Sequence, residues 1–259
     1  NDNNEENNDI PRSHMILQSL MGASQGATMT PFLKNYFGFF IDKFDICSIQ
    51  FALHYMFENK SKLHKFLTNV SNYTKTGKYF IGTCYDGKKI HEMLQDKVLN
   101  ESVDLYEENT KIWHIKKKYQ DDSKVFLEDN DKSIGYKISV YQESINQEFD
   151  EYLVNFEYFV KIMEDYGFIL ATNIQTSENI PLKPLGSFSS LFDIMNKTKK
   201  ESYGLADQMS ENEKTISFLN QYFIFQKQRD IVKPLFEEGI TMDYTIGNAK
   251  KTNETIILS

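Results

Sequence analysis

Cysteine is scarce in this sequence, and long apolar runs are missing. The two cysteines, Cys47 and Cys84, stand apart, which argues against a disulfide framework, and no paired cysteines or His/Cys cluster indicate zinc. Both fall in predicted strands, where cysteine is usually a small buried apolar residue. No run approaches the about 18–20 apolar residues that cross a bilayer, and no signal peptide is visible. We therefore expect a globular intracellular protein without a membrane or metal role.

Basic residues are fewer than acidic residues in this sequence. The 29 Lys and Arg residues are outnumbered by 37 Asp and Glu residues, so the formal net charge is −8. Such a balance argues against nonspecific coating of RNA, and any RNA contact has to come from a local basic strip. One such strip spans residues 116–118, next to Trp113 and His114. It could contact RNA phosphates, and an exposed charged strand explains it equally well.

The strands and helices predicted by the sequence alternate along the chain. Apolar, β-branched and aromatic segments predict strands at 44–50, 78–84, 168–173 and 217–226. Helical spacing predicts helices at 57–72, 86–97, 155–166 and about 187–196, and residues 13–40 also carry apolar residues at this spacing. Two alternating stretches, 112–119 and 134–141, predict a β-hairpin outside the main sheet. This order indicates an α/β fold.

Polar and aromatic side chains crowd the end of the first predicted strand. Gln50, Phe51, His54 and Tyr55 follow one another within six residues. In an open α/β sheet the carboxyl ends of the strands form the ligand crevice. Two aromatics, an amide and an imidazole could hold a flat heteroaromatic ring there. A core strand followed by a turn would explain the pattern as well.

The order of the residues in this segment is more specific than their chemical types alone. FDICSIQFALHY at residues 44–55, followed by Phe57 and Glu58, resembles the FDxxSxQFxxHYxFE motif of mRNA cap (guanine-N7) methyltransferases. Three later segments resemble further parts of that family in the same order: the strand 77–83 ending in a GT step, EYLVNF at 151–156, and the strand 222–227 ending in a lysine. The matches cover roughly residues 40–228. The Asn- and Lys-rich composition resembles that of proteins from large DNA viruses.

The resemblance implies a Rossmann-like class I methyltransferase fold. Its implied reaction transfers a methyl group from S-adenosylmethionine to N7 of the guanine that caps an mRNA. The implied substrate is a 5′-capped RNA, and the resemblance implies no binding of DNA. The implied location is the cytoplasm of the host cell or the virion for a viral protein, and the nucleus for a cellular one.

The resemblance also implies roles for individual residues. His54, Tyr55, Glu151 and Tyr222 would hold the cap guanine, and Gln50, Phe51 and Tyr55 would contact the cofactor. No residue is needed for proton transfer, because N7 already carries a nucleophilic lone pair and the reaction can proceed by proximity and orientation. Without the resemblance, Glu151 would be a solvated residue of an acidic run, His54 a structural histidine and Tyr222 a packing residue.

One departure from the family bears on the cofactor. The family binds S-adenosylmethionine through a D-x-G-x-G turn, where glycine lets the backbone approach closely. The 12 glycines of this chain are scattered and form no such turn, and the first nine residues are Asn, Asp and Glu alone. We therefore expect a polar segment at 1–30, the C-terminal half of the catalytic domain at 31–228, and an extension of unknown role at 229–259.

Two explanations of this departure remain open. The missing N-terminal half, or a partner subunit of a capping enzyme, could supply the cofactor turn. Alternatively, the chain is a non-catalytic methyltransferase-like subunit that binds and stimulates a complete capping enzyme. The second explanation accounts for the missing turn but gives no reason for His54, Tyr55 and Glu151 to occur together.

We predict that this chain alone binds S-adenosylmethionine weakly or not at all, despite Gln50, because it has no glycine-rich turn to approach the cofactor. Isothermal calorimetry on the isolated chain measures this directly. Micromolar affinity would contradict the prediction and would mean that other residues, such as those in segment 13–40, build the cofactor site.

Overall fold

The computed structural model describes residues 12–22, 30–120, 123–176, 179–198 and 204–231. The chain divides into two compact units at the step from Phe44 to Asp45. The described part of the first unit contains helices α1 (Arg12–Leu20) and α2 (Pro31–Asn35). Apart from Arg12 at the start of α1, both lie in the segment 13–40, where the sequence shows helical spacing. Residues 1–11 and 23–29 of the predicted N-terminal segment 1–30, and residues 232–259 of the predicted extension 229–259, lie outside the described residues.

From this boundary onwards the chain alternates strands with helices. The strands are β1 (Phe44–Gln50), β2 (Thr74–Tyr85), β3 (Ser102–Glu107), β4 (Thr110–Lys117), β5 (Lys137–Gln142), β6 (Gln147–Tyr152), β7 (Phe168–Leu170), β8 (Leu185–Ser187) and β9 (Asn220–Lys227). The helices are α3 (Lys60–Tyr73), α4 (Gly87–Met93), α5 (Ser123–Phe126), α6 (Phe156–Asp165), α7 (Phe188–Thr198) and α8 (Glu211–Ser217). The α/β prediction is confirmed.

The main sheet has the strand order β1-β2-β9-β7, and β8 pairs with another part of β9. Strand β9 runs antiparallel to β2, β7 and β8. Strands β1 and β2 run in the same direction, because Asp45 near the start of β1 pairs with Lys75 and Lys78, while Gln50 at its end meets Thr83. The carboxyl ends of β1 and β2 therefore lie side by side, at the same end of the strands of the sheet.

A second sheet has the order β3-β4-β5-β6, with every pair antiparallel. The predicted hairpin corresponds to its two central strands, β4 and β5. The outer strands β3 and β6 were missed. Strand β6 has the sequence QEFDEY, whose acidic residues are typical of a protected sheet edge and also of a solvated loop. This omission matters, because β6 carries Glu151.

Several predicted boundaries are wrong for local reasons. The segment predicted as the start of a helix at 57 is a 3₁₀ helix over Leu53–Glu58, and α3 begins only after Asn59, whose side chain accepts a hydrogen bond from the Lys62 amide at 2.9 Å. The last strand, predicted to begin at 217, begins at Asn220, because Ser217 still ends helix α8, whose start carries a capping box between Ser210 and Glu213. Helix α4 ends at Met93, and β7 ends at Leu170.

Two apolar clusters hold the second unit together. The larger one packs helices α3 and α6 on the main sheet, and its largest fully buried side chains are aromatic: Tyr166, Phe57, Phe80, Phe159, Phe168, Phe223 and Phe225. The smaller one joins the inner face of the second sheet to helix α4, through Trp113, Ile115, Ile138, Val140, Ile90 and Leu94. Cys84 is buried in the larger cluster as predicted, whereas Cys47 is half-buried beside it.

The two sheets are tied together where β2 and β6 end. The Gly87 amide, just past β2, donates to the Val154 carbonyl, just past β6, at 3.0 Å. A Cβ atom at Gly87 would collide with the Val154 backbone, so only glycine permits this approach. The Trp113 indole also donates to the Tyr85 hydroxyl at 3.2 Å. These contacts fix the position of β6 relative to the carboxyl ends of β1 and β2.

The lysine that ends β9 is fully buried. The Lys227 amine donates to the carbonyls of Ser71 and Thr74, the latter at 2.8 Å, and to the Asp230 carboxylate at 2.6 Å. Both carbonyls belong to the chain where α3 passes into β2. A buried ammonium is tolerated when its hydrogen bonds are satisfied in this way. Lys227 therefore joins the last strand to the turn that starts β2.

We predict that Lys227→Met lowers the free energy of unfolding by about 2–4 kcal/mol, because it leaves two buried carbonyls without donors. Lys161→Met is the matched control, since the Lys161 side chain is mostly exposed and should change stability by less than about 0.5 kcal/mol. Urea denaturation of the three proteins gives the comparison. Equal midpoints for the two variants would contradict the role assigned to Lys227.

Candidate functional site

The chain changes direction sharply at the carboxyl end of β1. Phe51 adopts the left-handed conformation, with φ of 51°, and its amide donates to the Thr83 carbonyl at 2.8 Å. A bulky residue with positive φ is strained, and such strain concentrates at functional sites. The Phe51 ring is 55% exposed and packs edge-on against Phe188 with 6.0 Å between centroids. The turn directs the next residues, including His54 and Tyr55, away from the sheet.

The 3₁₀ helix after this turn buries His54 and leaves Tyr55 partly exposed. Their rings meet at 4.2 Å between centroids in an edge-on arrangement. The second sheet delivers Glu151 to the same place, with its Oε2 atom 3.6 Å from His54 Nδ1. Side chains that are about 100 positions apart in the sequence therefore form one cluster.

The pleat of β6 explains why Glu151 points inward. Glu151 lies directly opposite Ile138 in the register of β5 and β6, and residues that are directly opposite share one face of a sheet. Ile138 belongs to the buried inner face. Asp150 and Glu148 lie on the other face, where they pair with Lys137 at 2.5 Å and Lys116 at 2.8 Å. Only Glu151 of this acidic run is withdrawn from solvent.

The His54 and Glu151 pair has few partners of its own. Both ring nitrogens of His54 and the Oε2 atom of Glu151 are buried without a hydrogen bond to any described residue. Burial raises the pKa of Glu151 to about 7 and lowers the pKa of His54 to about 4. Desolvation disfavours the charged form of each group, so both shifts have the same cause. The pair is therefore largely neutral at about pH 6, below the pKa of Glu151 and above that of His54.

The groups around Glu151 are neutral at the same pH. Burial raises the pKa values of Tyr55, Cys84 and Tyr85, that of Tyr85 to about 12, and the nearby charge of Glu151 adds to each shift. Tyr55 comes from the 3₁₀ helix, and Cys84 and Tyr85 come from the end of β2. The immediate surroundings of Glu151 are thus of low polarity, and the Asp86 carboxylate near Cys84 is the next acidic group.

Gln50 and Tyr222 are joined through Thr83. The Thr83 hydroxyl donates to the Gln50 amide oxygen at 2.8 Å, and Tyr222 is the cross-strand partner of Thr83 in β9. The Tyr222 side chain is buried and lies over Gly186 of β8, where a Cβ atom would come within 2.6 Å of its hydroxyl oxygen. Burial raises the pKa of Tyr222, and a hydrogen bond with Ser190 opposes the shift.

The structure thus brings His54, Tyr55 and Glu151 into one cluster and places Gln50, Phe51 and Tyr222 along the neighbouring strand ends. Sequence reasoning missed Tyr85, Asp86 and Gly186. Asp86 caps α4 and accepts a hydrogen bond from Gln221 at 2.5 Å. Tyr85 ends β2 and Asp86 follows it directly, so the strand-end rule could have found them. Nothing in the sequence singled out Gly186, which lies in a three-residue strand.

The basic strip at 116–118 is not a free surface. Lys117 is fully buried, and its amine donates to the carbonyls of Leu94 and Lys97 at 3.3 and 2.8 Å. Lys116 pairs with Glu148, and Lys118 donates to Asn100 at 3.0 Å. The strand alternation that buries Ile115 also turns Lys117 inward, which an exposed charged strand would not do.

Two broader searches cover the described part of the chain. Within it, no group of three or more His, Cys, Asp or Glu side chains is arranged to hold a metal ion. Among the same residues, no helix has the length and apolar character needed to cross a membrane.

Comparison with known proteins gives one consistent result. A family model for the mRNA (guanine-N(7))-methyltransferase domain matches residues 20–228. The mRNA cap guanine-N(7) methyltransferase of Debaryomyces hansenii is 31% identical over 131 residues, covering 49% of this chain and 23% of that protein. The corresponding protein of Saccharomyces cerevisiae is 25% identical over 227 residues, covering 85% of this chain and 49% of that protein.

A viral protein is also similar to this chain. The probable mRNA-capping enzyme of Acanthamoeba polyphaga mimivirus is 25% identical over 221 residues, covering 73% of this chain and 18% of that protein. The chain therefore spans about half the length of these relatives or less.

The burial of Glu151 predicts a specific pH dependence of stability. Its pKa is about 7 in the folded protein and 4.5 ordinarily, so the folded state holds this proton more tightly. The resulting stabilisation is complete below pH 4.5 and is lost as the pH rises through 7. Glu151→Gln removes the ionisation. It should be more stable than the parent by about 1–3 kcal/mol at pH 8, with little difference at pH 4.5.

Glu148→Gln is the matched control on the same strand. Hydrogen bonds from Lys116 and Ser139 lower the pKa of Glu148 to about 2, so its stabilisation is present above pH 4.5 and is lost only as the pH falls through 2. This variant should lose stability at pH 5 and pH 8 alike. Urea denaturation at several pH values measures both. A Glu151→Gln variant that is less stable than the parent at pH 8 would contradict the burial argument.

Proposed function

The chain belongs to the mRNA (guanine-N(7))-methyltransferase family, and we propose that it forms the guanine pocket for methylation of the mRNA cap inside the cell. The reaction transfers a methyl group from S-adenosylmethionine to N7 of the capping guanine. The substrate is a 5′-capped RNA. The observation that carries the proposal is the inward-facing Glu151 carboxylate beside His54, with no cation near it among the described residues.

Guanine is the base whose edge matches this pair. Its N1–H and N2–H₂ groups donate side by side, and an ionised carboxylate accepts two such bonds. An imidazole N–H of His54 can donate to the neighbouring O6 acceptor. Adenine has no N1–H, so it would leave the carboxylate unsatisfied in a buried site, which costs more than the lost bond itself. The pair therefore supports recognition of guanine over adenine.

The same carboxylate favours the methylated state of the ring. Methyl transfer places positive charge on guanine, and a carboxylate held against the N1 edge in a site of low polarity stabilises charge as it develops. In this proposal Tyr55, which contacts His54, and Tyr222, which lies over Gly186, restrict the ring from other sides. Most of the rate enhancement then comes from orienting N7 toward the methyl donor.

Gln50, Phe51 and Tyr55 are suited to one side of the cofactor. Phe51 presents an exposed ring at the strand end, and Gln50 keeps its amide in place through hydrogen bonds with Ser48 and Thr83, both at 2.8 Å. An aromatic ring can stack on the flat adenine of the cofactor, and an amide can form hydrogen bonds with the edge of that base. When bound, S-adenosylmethionine supplies an activated methyl group.

The rest of the cofactor site comes, in this proposal, from protein outside the given sequence. The chain has no D-x-G-x-G turn, and β1 ends the strand order of the described main sheet with Ile46 59% exposed. A further strand beside β1 would cover this edge. The N-terminal half of a methyltransferase domain, or a partner subunit of a capping enzyme, would supply that strand and the turn.

We predict that Glu151→Gln in the complete enzyme lowers kcat/KM for a short capped RNA by about 30- to 1000-fold. The amide puts a donor against the guanine donors and removes the anion, a loss of about 2–4 kcal/mol in transition-state binding. Cofactor affinity should stay near that of the parent. His54→Ala should also impair methyl transfer.

Glu148→Gln serves as the control, because it makes the same chemical change on the outer face of β6, away from His54. It should keep full activity. Methyl transfer and cofactor binding are measured for all variants. Full activity of Glu151→Gln would remove the proposed guanine contact, and a matching loss of cofactor affinity would assign Glu151 to the other ligand.

A further inference from the structure

Two ionisable groups of the candidate site face each other and have no other hydrogen-bond partner among the described residues. His54 Nδ1 and Glu151 Oε2 are 3.6 Å apart, and both atoms are buried without a hydrogen bond to any described residue. A buried ionised group without a partner is costly, so each group alone would stay neutral. Together they can exist as a carboxylic acid beside a neutral imidazole, or as a carboxylate beside an imidazolium. Both forms hold the same number of protons.

We propose that His54 accepts the proton of Glu151 when guanine binds, so that the pair changes from its neutral form to its ionic form without exchanging a proton with solvent. This inference rests on the proposed function and adds to it the role of His54 as the internal proton acceptor. The Oε2–H bond breaks, and its electron pair stays on the carboxylate. The lone pair of Nδ1 forms the new N–H bond, so charge and proton number balance.

Guanine supplies the driving force for this transfer. Its N1–H and N2–H₂ donors replace the missing solvation of the carboxylate, and hydrogen bonds to the charged form favour that form. The new imidazolium lies beside the carboxylate, where an opposite charge stabilises it in the same way. A distance of 3.6 Å needs only a small side-chain movement to become a hydrogen bond.

Among the described residues near Glu151, the tyrosine and cysteine groups do not compete for its proton, and the Asp86 carboxylate already accepts hydrogen bonds from the Gln221 side chain and the Lys88 amide. Tyr55, Cys84 and Tyr85 lie near Glu151, and burial raises the pKa of each, so they stay protonated. On β6 itself, Asp150 and Glu148 occupy the opposite face and pair with lysines. Lys117 shares the inner face, but it lies two strands away, where its amine donates to carbonyls of Leu94 and Lys97.

The proposal predicts how cap affinity depends on pH. If Glu151 gave its proton to solvent, affinity would fall by about tenfold for each pH unit below its folded-state pKa. If His54 keeps the proton, affinity stays nearly constant across the same range. His54→Asn removes the acceptor while keeping a polar side chain of similar reach. This variant should therefore acquire the pH dependence that the parent lacks.

Calorimetry at pH 6 with the cap dinucleotide GpppA tests this directly. Titrations in two buffers of different ionisation enthalpy give the number of protons released on binding. The parent chain should release close to none, and His54→Asn should release about one, because Glu151 must then ionise into solvent. Release of about one proton by the parent, or no difference between the two proteins, would overturn the inference.

Two further measurements separate this inference from the proposed function. Glu151→Gln should bind GpppA weakly and release no proton, whereas tight binding by this variant would reject the guanine contact itself. Failure of the parent chain to bind GpppA at millimolar concentration would overturn both. Ring-nitrogen chemical shifts of His54, one of five histidines, should show a neutral imidazole in the free protein at pH 6 and an imidazolium with GpppA. An imidazolium in the free protein would also overturn the inference.

Discussion

The arrangement of the described part of this protein depends on one constraint, a carboxylate that is buried with no lysine or arginine of that part beside it. Glu151 costs folding free energy whenever it is ionised, so the surrounding structure has to determine its position. Strand β6 is held by β5 on one side only, and its far end is fixed where Gly87 meets Val154. A slip of one residue in this register would turn Glu151 outward and Asp150 inward. The fold excludes that alternative with the apolar inner face around Ile138.

The meeting of two sheets makes such a site possible. Neither sheet alone would bring His54 next to Glu151, since one residue follows β1 and the other lies on an edge strand of the second sheet. The contacts that align the sheets are themselves buried: the Trp113 bond to Tyr85, and the aromatic and aliphatic cluster around helix α4. Core packing therefore sets a distance between two polar groups, and precise placement of this kind is what an orientation mechanism requires.

Sequence patterns predicted those parts of the fold where one local signal dominates. The apolar run at 44–50, the alternation in β4 and β5, and the amphipathic helix before Gly167 all appear close to their predicted positions. The missed elements are those whose local pattern conflicts with their tertiary role. The sequence QEFDEY is typical of a solvent-exposed loop. It forms strand β6 because its backbone makes hydrogen bonds with β5. The 3₁₀ helix at His54 and the positive φ of Phe51 likewise depend on contacts with β2 that no local pattern records.

The contrast between Glu148 and Glu151 shows where local sequence stops being informative. The two residues are of one type, on one strand and three positions apart, yet the pKa of the first falls to about 2 and that of the second rises to about 7. The difference arises because alternate residues of a strand face opposite sides, so one carboxylate meets a lysine and the other meets an unpartnered histidine. Glu148 satisfies its charge within the protein. Glu151 meets no lysine or arginine among the described residues, and in the proposed function a ligand that donates hydrogen bonds satisfies its charge. On that proposal, its unfavourable burial favours such a ligand over others.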